Sequence, residues 1–303
     1  MDEAQFYKMI FPLLPQERDV VVGPGDDCAA VDLGLDGNLL LLAADQLNSD
    51  IHYDLKRTEP EQAGAKLLKR NLSDIASMGG RPLHAIITIA TGNFNPDWLR
   101  RFYEGLGQEA TAWSVSICGG DLATLKNTGS GIAASLFITG LVHKDRMCLR
   151  NAMRPGDLLY ATGEFGRSFE TGHHLSFTPR LKEAVFLAGP FTRAMMDVSD
   201  GLLLDASRMA SASHVGIRLC LENIPRRDGC SLEHALSDGE DYELLFSVPK
   251  DKSPRLENEW PFTGTLLTRI GEVVGEHAGI VTDLDDIDLS SRFLLTGFDH
   301  LKR

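Results

Sequence analysis

Two domains of the α/β (α+β) class are predicted from this sequence. Three observations predict them. Apolar runs of strand length alternate with helix-periodic stretches in both halves of the chain. Hydrophobic residues make up 43% of the 303 residues, enough for packed cores. A turn-rich segment, Arg150-Asn151-Ala152-Met153-Arg154-Pro155-Gly156-Asp157, interrupts the pattern near the middle. The expected domains are therefore 1–148 and 149–303.

The elements follow in order. Residues 39–44 read as a buried strand, followed by a polar stretch from Asp45 to Asp54. Pro60 starts a helix that carries Leu68, Leu72 and Ile75 at helical spacing, and Gly79-Gly80 stops it. A strand is expected over 85–90, a helix over 97–114 with Trp98, Phe102 and Leu106 on one face, and a strand over 130–142. Beyond the boundary, 158–162, 217–221, 243–248 and 270–274 read as strands. Residues 200–213 read as a helix with Leu203, Ala206 and Ala210 inward.

Composition narrows the function. The formal net charge is −13, which disfavours general nucleic-acid binding, since that rests on Lys and Arg against phosphates. Five cysteines at wide spacing, with no C-x-x-C pair, fit a reducing compartment better than a disulfide framework. The N-terminus is acidic without an apolar signal region, and no apolar run approaches a membrane span. The expectation is a cytoplasmic protein without membrane or nucleic-acid partners.

Several common chemistries lack their motifs. There is no G-x-x-x-x-G-K-[ST] loop, H-R-D, D-F-G, H-E-x-x-H or G-x-S-x-G. Asp283–Asp288 is calcium-like in composition but lacks the central Gly and terminal Glu of an EF-hand. What remains is a set of aspartate segments: Gly25-Asp26-Asp27-Cys28, Ala44-Asp45-Gln46, Asn71-Leu72-Ser73-Asp74, Gly119-Gly120-Asp121, Asp197-Val198-Ser199-Asp200-Gly201 and Asp238-Gly239-Glu240-Asp241-Tyr242-Glu243. Each is expected at a turn, a strand end or a helix edge. Singly, each aspartate also reads as a turn residue or helix cap, Asp200 as the cap of the helix after it. Together they suit Mg²⁺, which takes oxygen ligands and bridges carboxylates to phosphates.

Taken in order, these segments resemble the thiamine-monophosphate kinases, of the superfamily that includes aminoimidazole ribonucleotide synthetase and selenophosphate synthetase. NLSDIASMGGRP, DVSDGLLLDASRMA and GEDYELLF carry the resemblance, which runs from Gly25 to His300. It implies a two-domain aminoimidazole ribonucleotide synthetase-like fold, whose N-terminal sheet forms a barrel across a homodimer. It also implies ATP-dependent phosphorylation of thiamine monophosphate, by direct transfer without a covalent nucleophile. Asp27, Asp45, Asp74, Asp121, Asp197 and Asp200 are the implied ligands of several Mg²⁺ ions. Gly120, Asp121, Arg150 and Ser199 are implied to contact ATP; His52, Glu240 and Phe298 are implied to contact the acceptor.

The chain departs from the family pattern at four places. Ala43-Ala44 stand where a hydroxyl usually precedes the strand-end aspartate. Asn48-Ser49-Asp50-Ile51-His52-Tyr53 replaces V-E-G-V-H-F, and Gly119-Gly120-Asp121-Leu122-Ala123 replaces G-G-D-T-T. The stretch from Gly166 to Arg180 is short. The metal-binding carboxylates are kept while polar groups around the acceptor and nucleotide change. Such changes can redirect specificity, so a different acceptor, or a non-catalytic nucleotide-binding dimer, is the alternative reading.

Overall fold

Strand-length apolar runs and two long helices build the first half. The computed structural model describes residues 3–126 and 131–293. A short helix, α1 (Glu3–Ile10), precedes six strands: β1 (Val20–Val22), β2 (Ala29–Leu35), β3 (Asn38–Asn48), β4 (Arg81–Thr91), β5 (Ser116–Thr124) and β6 (Ile132–His143). They form one sheet in the order β1-β2-β3-β6-β4-β5. Only β4 and β5 pair in parallel, and the helix between them is the crossover such a pair requires. Leu39, Leu41 and Ala43 of β3 are buried, with Leu136 and Ile138 of β6 and Ile87 and Ile89 of β4 beside them.

Two helices cover that inner face: α2 (Pro60–Ser77) and α3 (Pro96–Ala112). Pro60 stands in the first turn of α2, where a missing N–H costs nothing, and Glu59 with Gln62 closes a capping box. The helix ends at Ser77, and the chain turns away at Gly79, whose φ of +71° favours glycine. Its buried residues run round much of its circumference, so α2 lies in the interior between the two halves. The α2–α3 contact is made by glycines. A Cβ on Gly64 would sit 2.0 Å from the Phe102 carbonyl oxygen, and one on Gly105 would sit 2.0 Å from that of Glu61.

The second half holds another six-stranded sheet: β7 (Leu158–Thr162), β8 (Ala194–Val198), β9 (Gly216–Leu219), β10 (Glu243–Val248), β11 (Leu267–Val274) and β12 (Val281–Thr282). Their order is β12-β9-β11-β7-β10-β8, antiparallel except for β12 with β9. Helices α4 (Ser168–Thr171), α5 (His173–Ser176), α6 (Leu181–Leu187) and α7 (Leu202–Ser213) lie between its strands in sequence. One apolar core joins α2 and the first sheet to Tyr160, Phe191, Met195 and Phe246 of the second half. A second core, with Met196, Leu203, Met209 and Ile217, lies beneath α7. Among the described residues, no helix is long and apolar enough to cross a membrane.

Four expectations need correction. β3 continues to Asn48, so Asp45 lies within a strand and not in the turn after it. Asp121 likewise lies inside β5. The helix expected from Asp200 begins at Leu202. Asp200 does not cap it; Asp205 accepts the backbone N–H groups of Ser199 (3.1 Å) and Asp200 (3.0 Å) from within the helix. The strand expected over 217–221 stops at Leu219, and a 3₁₀ turn takes over at Leu221.

Gly105→Ala tests the glycine contact. Alanine has the better helix propensity by ~1 kcal/mol, yet its methyl group would meet the Glu61 backbone. The variant is expected to lose about 1–3 kcal/mol by urea denaturation; unchanged or increased stability would contradict the close α2–α3 packing.

Candidate active site

Three carboxylates converge from three separate segments. Asp27 comes from the loop before β2, Asp74 from the last turn of α2, and Asp197 from the end of β8. One ligand atom from each lies within 4.8 Å of the other two. The junction is tied across the two halves by Ser73, whose hydroxyl donates to Asp197 Oδ2 at 2.6 Å. Arg150, in the connecting segment, donates through its guanidinium to Asp27 Oδ1 and through its backbone N–H to Asp26 Oδ2 at 3.1 Å.

The group is short of positive charge. Burial first, then the neighbouring charges of Asp45, Asp197 and Asp27, pushes the Asp74 carboxyl well above the usual range. Burial and Asp27 do the same to Asp197 against the pull of Ser73 and Arg150. Asp26 is pushed up to about 6, by burial and then by Asp27. The Asp27 side chain is fully buried, and its Oδ2 has no hydrogen-bond partner among the described residues. An orphaned carboxylate oxygen beside two further carboxylates is an all-oxygen anionic donor set. It fits a hard divalent cation of the Mg²⁺ type.

The other candidates fall into distinct places. Asp45 accepts from Arg70 Nε at 3.3 Å and Nη2 at 3.5 Å. Asp200 is paired with Arg208 at 2.5 Å. Asp121 is exposed, in register with Thr88 on the outer face of the sheet, apart from the three-carboxylate group. Gly120 is a packing glycine, since a Cβ there would meet the Ile87 carbonyl oxygen at 1.9 Å. His52, Ser199 and Glu240 line one pocket with Asp200, Arg70, Phe169 and Tyr242. That pocket has about 480 Å³ of empty space, its mouth included. Phe298 lies outside the described residues.

The pocket wall is held in an unusual backbone conformation. Glu240 and Tyr242 have φ of +67° and +52°, a region non-glycine residues seldom occupy. Their N–H groups donate to the carbonyls of Ser199 (2.6 Å) and Val198 (2.8 Å), and Tyr242 stacks on Phe177 with centroids 4.1 Å apart. The fully buried Lys66 reaches Glu240 Oε2 at 2.5 Å and the His52 carbonyl at 2.5 Å. Burial pulls its ammonium down to about 8. Burial alone would raise the Glu240 carboxyl, but Lys66 and Arg70 outweigh it and hold the group below its usual range.

Lys66, Arg70, Asp26, Asp205 and Phe169 were not among the sequence candidates. Lys66 and Arg70 carried a signal, two cations at i,i+4 inside an otherwise buried helix. Asp26 stood beside Asp27, and Asp205 within the quoted DVSDGLLLDASRMA. Phe169 carried none.

Comparison with known proteins places this chain in a family. The family model for AIR synthase related protein, N-terminal domain, matches residues 25–142, and that for the C-terminal domain matches residues 172–283. The chain thus has the fold of an AIR synthase related protein. The thiamine-monophosphate kinase of Rhodopirellula baltica is 36% identical over 281 residues, covering 86% of this chain and 85% of that protein. The thiamine-monophosphate kinase of Bacillus subtilis is 29% identical, with 90% and 91% covered. A solved structure of AaThiL complexed with AMPPCP and TMP matches with a TM-score of 0.83 at 27% identity, covering 99% of this chain and 97% of that one. The chain belongs to the thiamine-monophosphate kinase family.

Carboxylate repulsion yields a stability prediction. In chelator, Asp74→Asn is expected to raise the thermal midpoint by removing one of three crowded charges. Mg²⁺ at about 100 times its dissociation constant should stabilise the unaltered chain by about 2.7 kcal/mol and the variant much less. Equal responses to Mg²⁺ in differential scanning calorimetry would contradict a shared cation site.

Proposed function

We propose that this chain transfers the terminal phosphoryl group of ATP to thiamine monophosphate, giving ADP and thiamine diphosphate. The convergence of Asp27, Asp74 and Asp197 carries the reading. The family supports it, since the similar proteins are thiamine-monophosphate kinases and one similar structure is complexed with AMPPCP and TMP. An oxygen of the acceptor phosphate attacks the γ-phosphorus, and the bond to the β–γ bridging oxygen breaks, releasing ADP. No side-chain nucleophile is needed, so the protein's contribution is positioning and charge.

Asp27, Asp74 and Asp197 would hold Mg²⁺. Bound there, Mg²⁺ would supply charge neutralisation for phosphoryl transfer. The fuller proposed set adds Asp45 and Asp200, which would exchange arginine contacts for cation contacts; Asp121, on the outer face of the first sheet, is left out of it. Arg150 holds Asp27 in place and supplies a guanidinium suited to phosphate oxygens. Ser199 and Gly120 are proposed on the nucleotide side, His52, Glu240 and Phe298 on the acceptor side. Ser73 fixes the two halves of the site relative to each other through Asp197.

A homodimer is part of the proposal. Ile86 and Phe137 are paired across β4 and β6 on the outer face of the first sheet, 46% and 39% exposed. Ala44 of β3 adjoins Phe137 there. A second copy covering this apolar face would close the two sheets into a barrel.

Purified protein with Mg·ATP and thiamine monophosphate is expected to form thiamine diphosphate, detected by chromatography. Asp74→Asn and Asp197→Asn should each lower kcat by about 10³-fold or more, matching several kcal/mol of lost charge stabilisation. ATP binding without product in the unaltered enzyme would sink the thiamine-phosphate reading. Phe137→Glu should convert the dimer to monomer in light scattering; an unchanged mass would contradict the sheet-to-sheet interface.

A further inference from the structure

The pocket beside the carboxylate group contains a guanidinium with one unsatisfied nitrogen and an exposed aromatic ring. Arg70 is 9% exposed and lines the pocket. Its Nε and Nη2 serve Asp45, but its buried Nη1 has no hydrogen-bond partner among the described residues. Glu240 Oε1 is 3.6 Å from that nitrogen, beyond hydrogen-bond reach. A buried guanidinium N–H without an acceptor is costly, and such groups are normally satisfied. An anionic oxygen entering the pocket would satisfy it.

Phe169 stands in the same pocket and is 49% exposed. It is not a loosely placed surface residue. Its ring packs on His174, with centroids 4.3 Å apart and planes at 30°. Lys66 Nζ lies 5.4 Å from the ring centroid. The backbone carrying it is anchored on both sides of the pocket loop. Ser168 Oγ donates to the Glu240 carbonyl at 2.6 Å, and the Arg167 N–H donates to Asp238 Oδ2 at 2.7 Å. An aromatic face held rigid and left half-exposed in a polar pocket is a stacking surface for a planar ring.

We infer that Arg70 and Phe169 are specificity-determining residues of the acceptor pocket, one for the acceptor's phosphate and the other for its ring. Arg70 Nη1 donates to the phosphate, and Phe169 carries the ring. The inference deepens the kinase reading and rests on it for the identity of the acceptor. It also orients the acceptor. Ser199 and Asp200 line the same pocket and follow Asp197 by two and three residues. The phosphate on Arg70 is therefore close to the carboxylate group, where phosphoryl transfer would take place.

The two contacts separate by ligand. Binding of thiamine, thiamine monophosphate and pyridoxal 5′-phosphate is measured by calorimetry on the unaltered chain, Arg70→Met, Arg70→Lys and Phe169→Ala, at a temperature where circular dichroism shows each to be folded. Arg70→Met is expected to weaken thiamine monophosphate about 10- to 100-fold, as loss of a charge-assisted hydrogen bond does. Thiamine, which has no phosphate, should be unaffected, and Arg70→Lys should recover part of the loss. Phe169→Ala should weaken thiamine and its monophosphate alike, by about 3- to 10-fold. Phe169→Ala should not move the KM for ATP beyond twofold.

If both variants keep their affinity for every ring phosphate, or Arg70→Met weakens thiamine as much as its monophosphate, the subsite is wrong. It is also wrong if the unaltered chain binds none of the three compounds. Should the unaltered chain bind ring phosphates in this pattern but form no thiamine diphosphate, the kinase reading fails and the subsite stands.

Discussion

Three carboxylates from three separate segments, within 4.8 Å of one another and largely out of water, are the constraint on which the rest of the site depends. Two like charges ~4 Å apart repel on the order of 4 kcal/mol at an effective dielectric of 20, against a total stability of about 5–15 kcal/mol for a domain. The surrounding structure offsets part of this. Ser73 hydrogen-bonds Asp197, Arg150 binds Asp27, and burial keeps Asp74 and Asp197 protonated further up the pH scale. What is left is an excess of negative charge and one orphaned oxygen, the electrostatic shape of a cation site. The interior position of α2 follows from the same constraint. Its last turn must deliver Asp74 to the end of β8, so the helix is buried between both halves.

Much of this was legible in the chain itself. The strands at 158–162 and 243–248 have the bounds that their short apolar runs predict. Pro60 and Gly79-Gly80 bound α2 as expected, because proline is harmless in a first helical turn and glycine tolerates positive φ after the last. Asp27, Asp74 and Asp197 were singled out by flanking residues and meet in space. Periodicity gave no sign that Asp45 and Asp121 lie within strands, because polar residues at a sheet end look like a turn. The Asp205 anchor was hidden for a similar reason. A buried carboxylate one turn into a helix has the same spelling as an exposed one, and only the path of the preceding loop brings it to the Ser199 and Asp200 amides.

The two sides of the site differ in how far they follow the family pattern. The carboxylate side uses the residues that carry the family resemblance. In the pocket lined by His52 and Glu240, Arg70 neutralises Asp45 and Lys66 neutralises Glu240, so part of the positive charge is supplied by side chains of α2. Both cations are buried and need their partners; the removal of either carboxylate would leave an uncompensated charge. The strained backbone at Glu240 and Tyr242 is maintained by this pairing and by the stack on Phe177. The pocket wall is thus held in shape by the protein's own contacts.

The claim that these carboxylates form one cation site is tested most directly by anomalous diffraction from crystals grown with Mn²⁺ and a non-hydrolysable ATP analogue. The account predicts a manganese peak in contact with carboxylate oxygens of Asp27, Asp74 and Asp197, lost in crystals of Asp74→Asn. Bound nucleotide with no peak between those three residues, or a peak that persists unchanged in the variant, would contradict it.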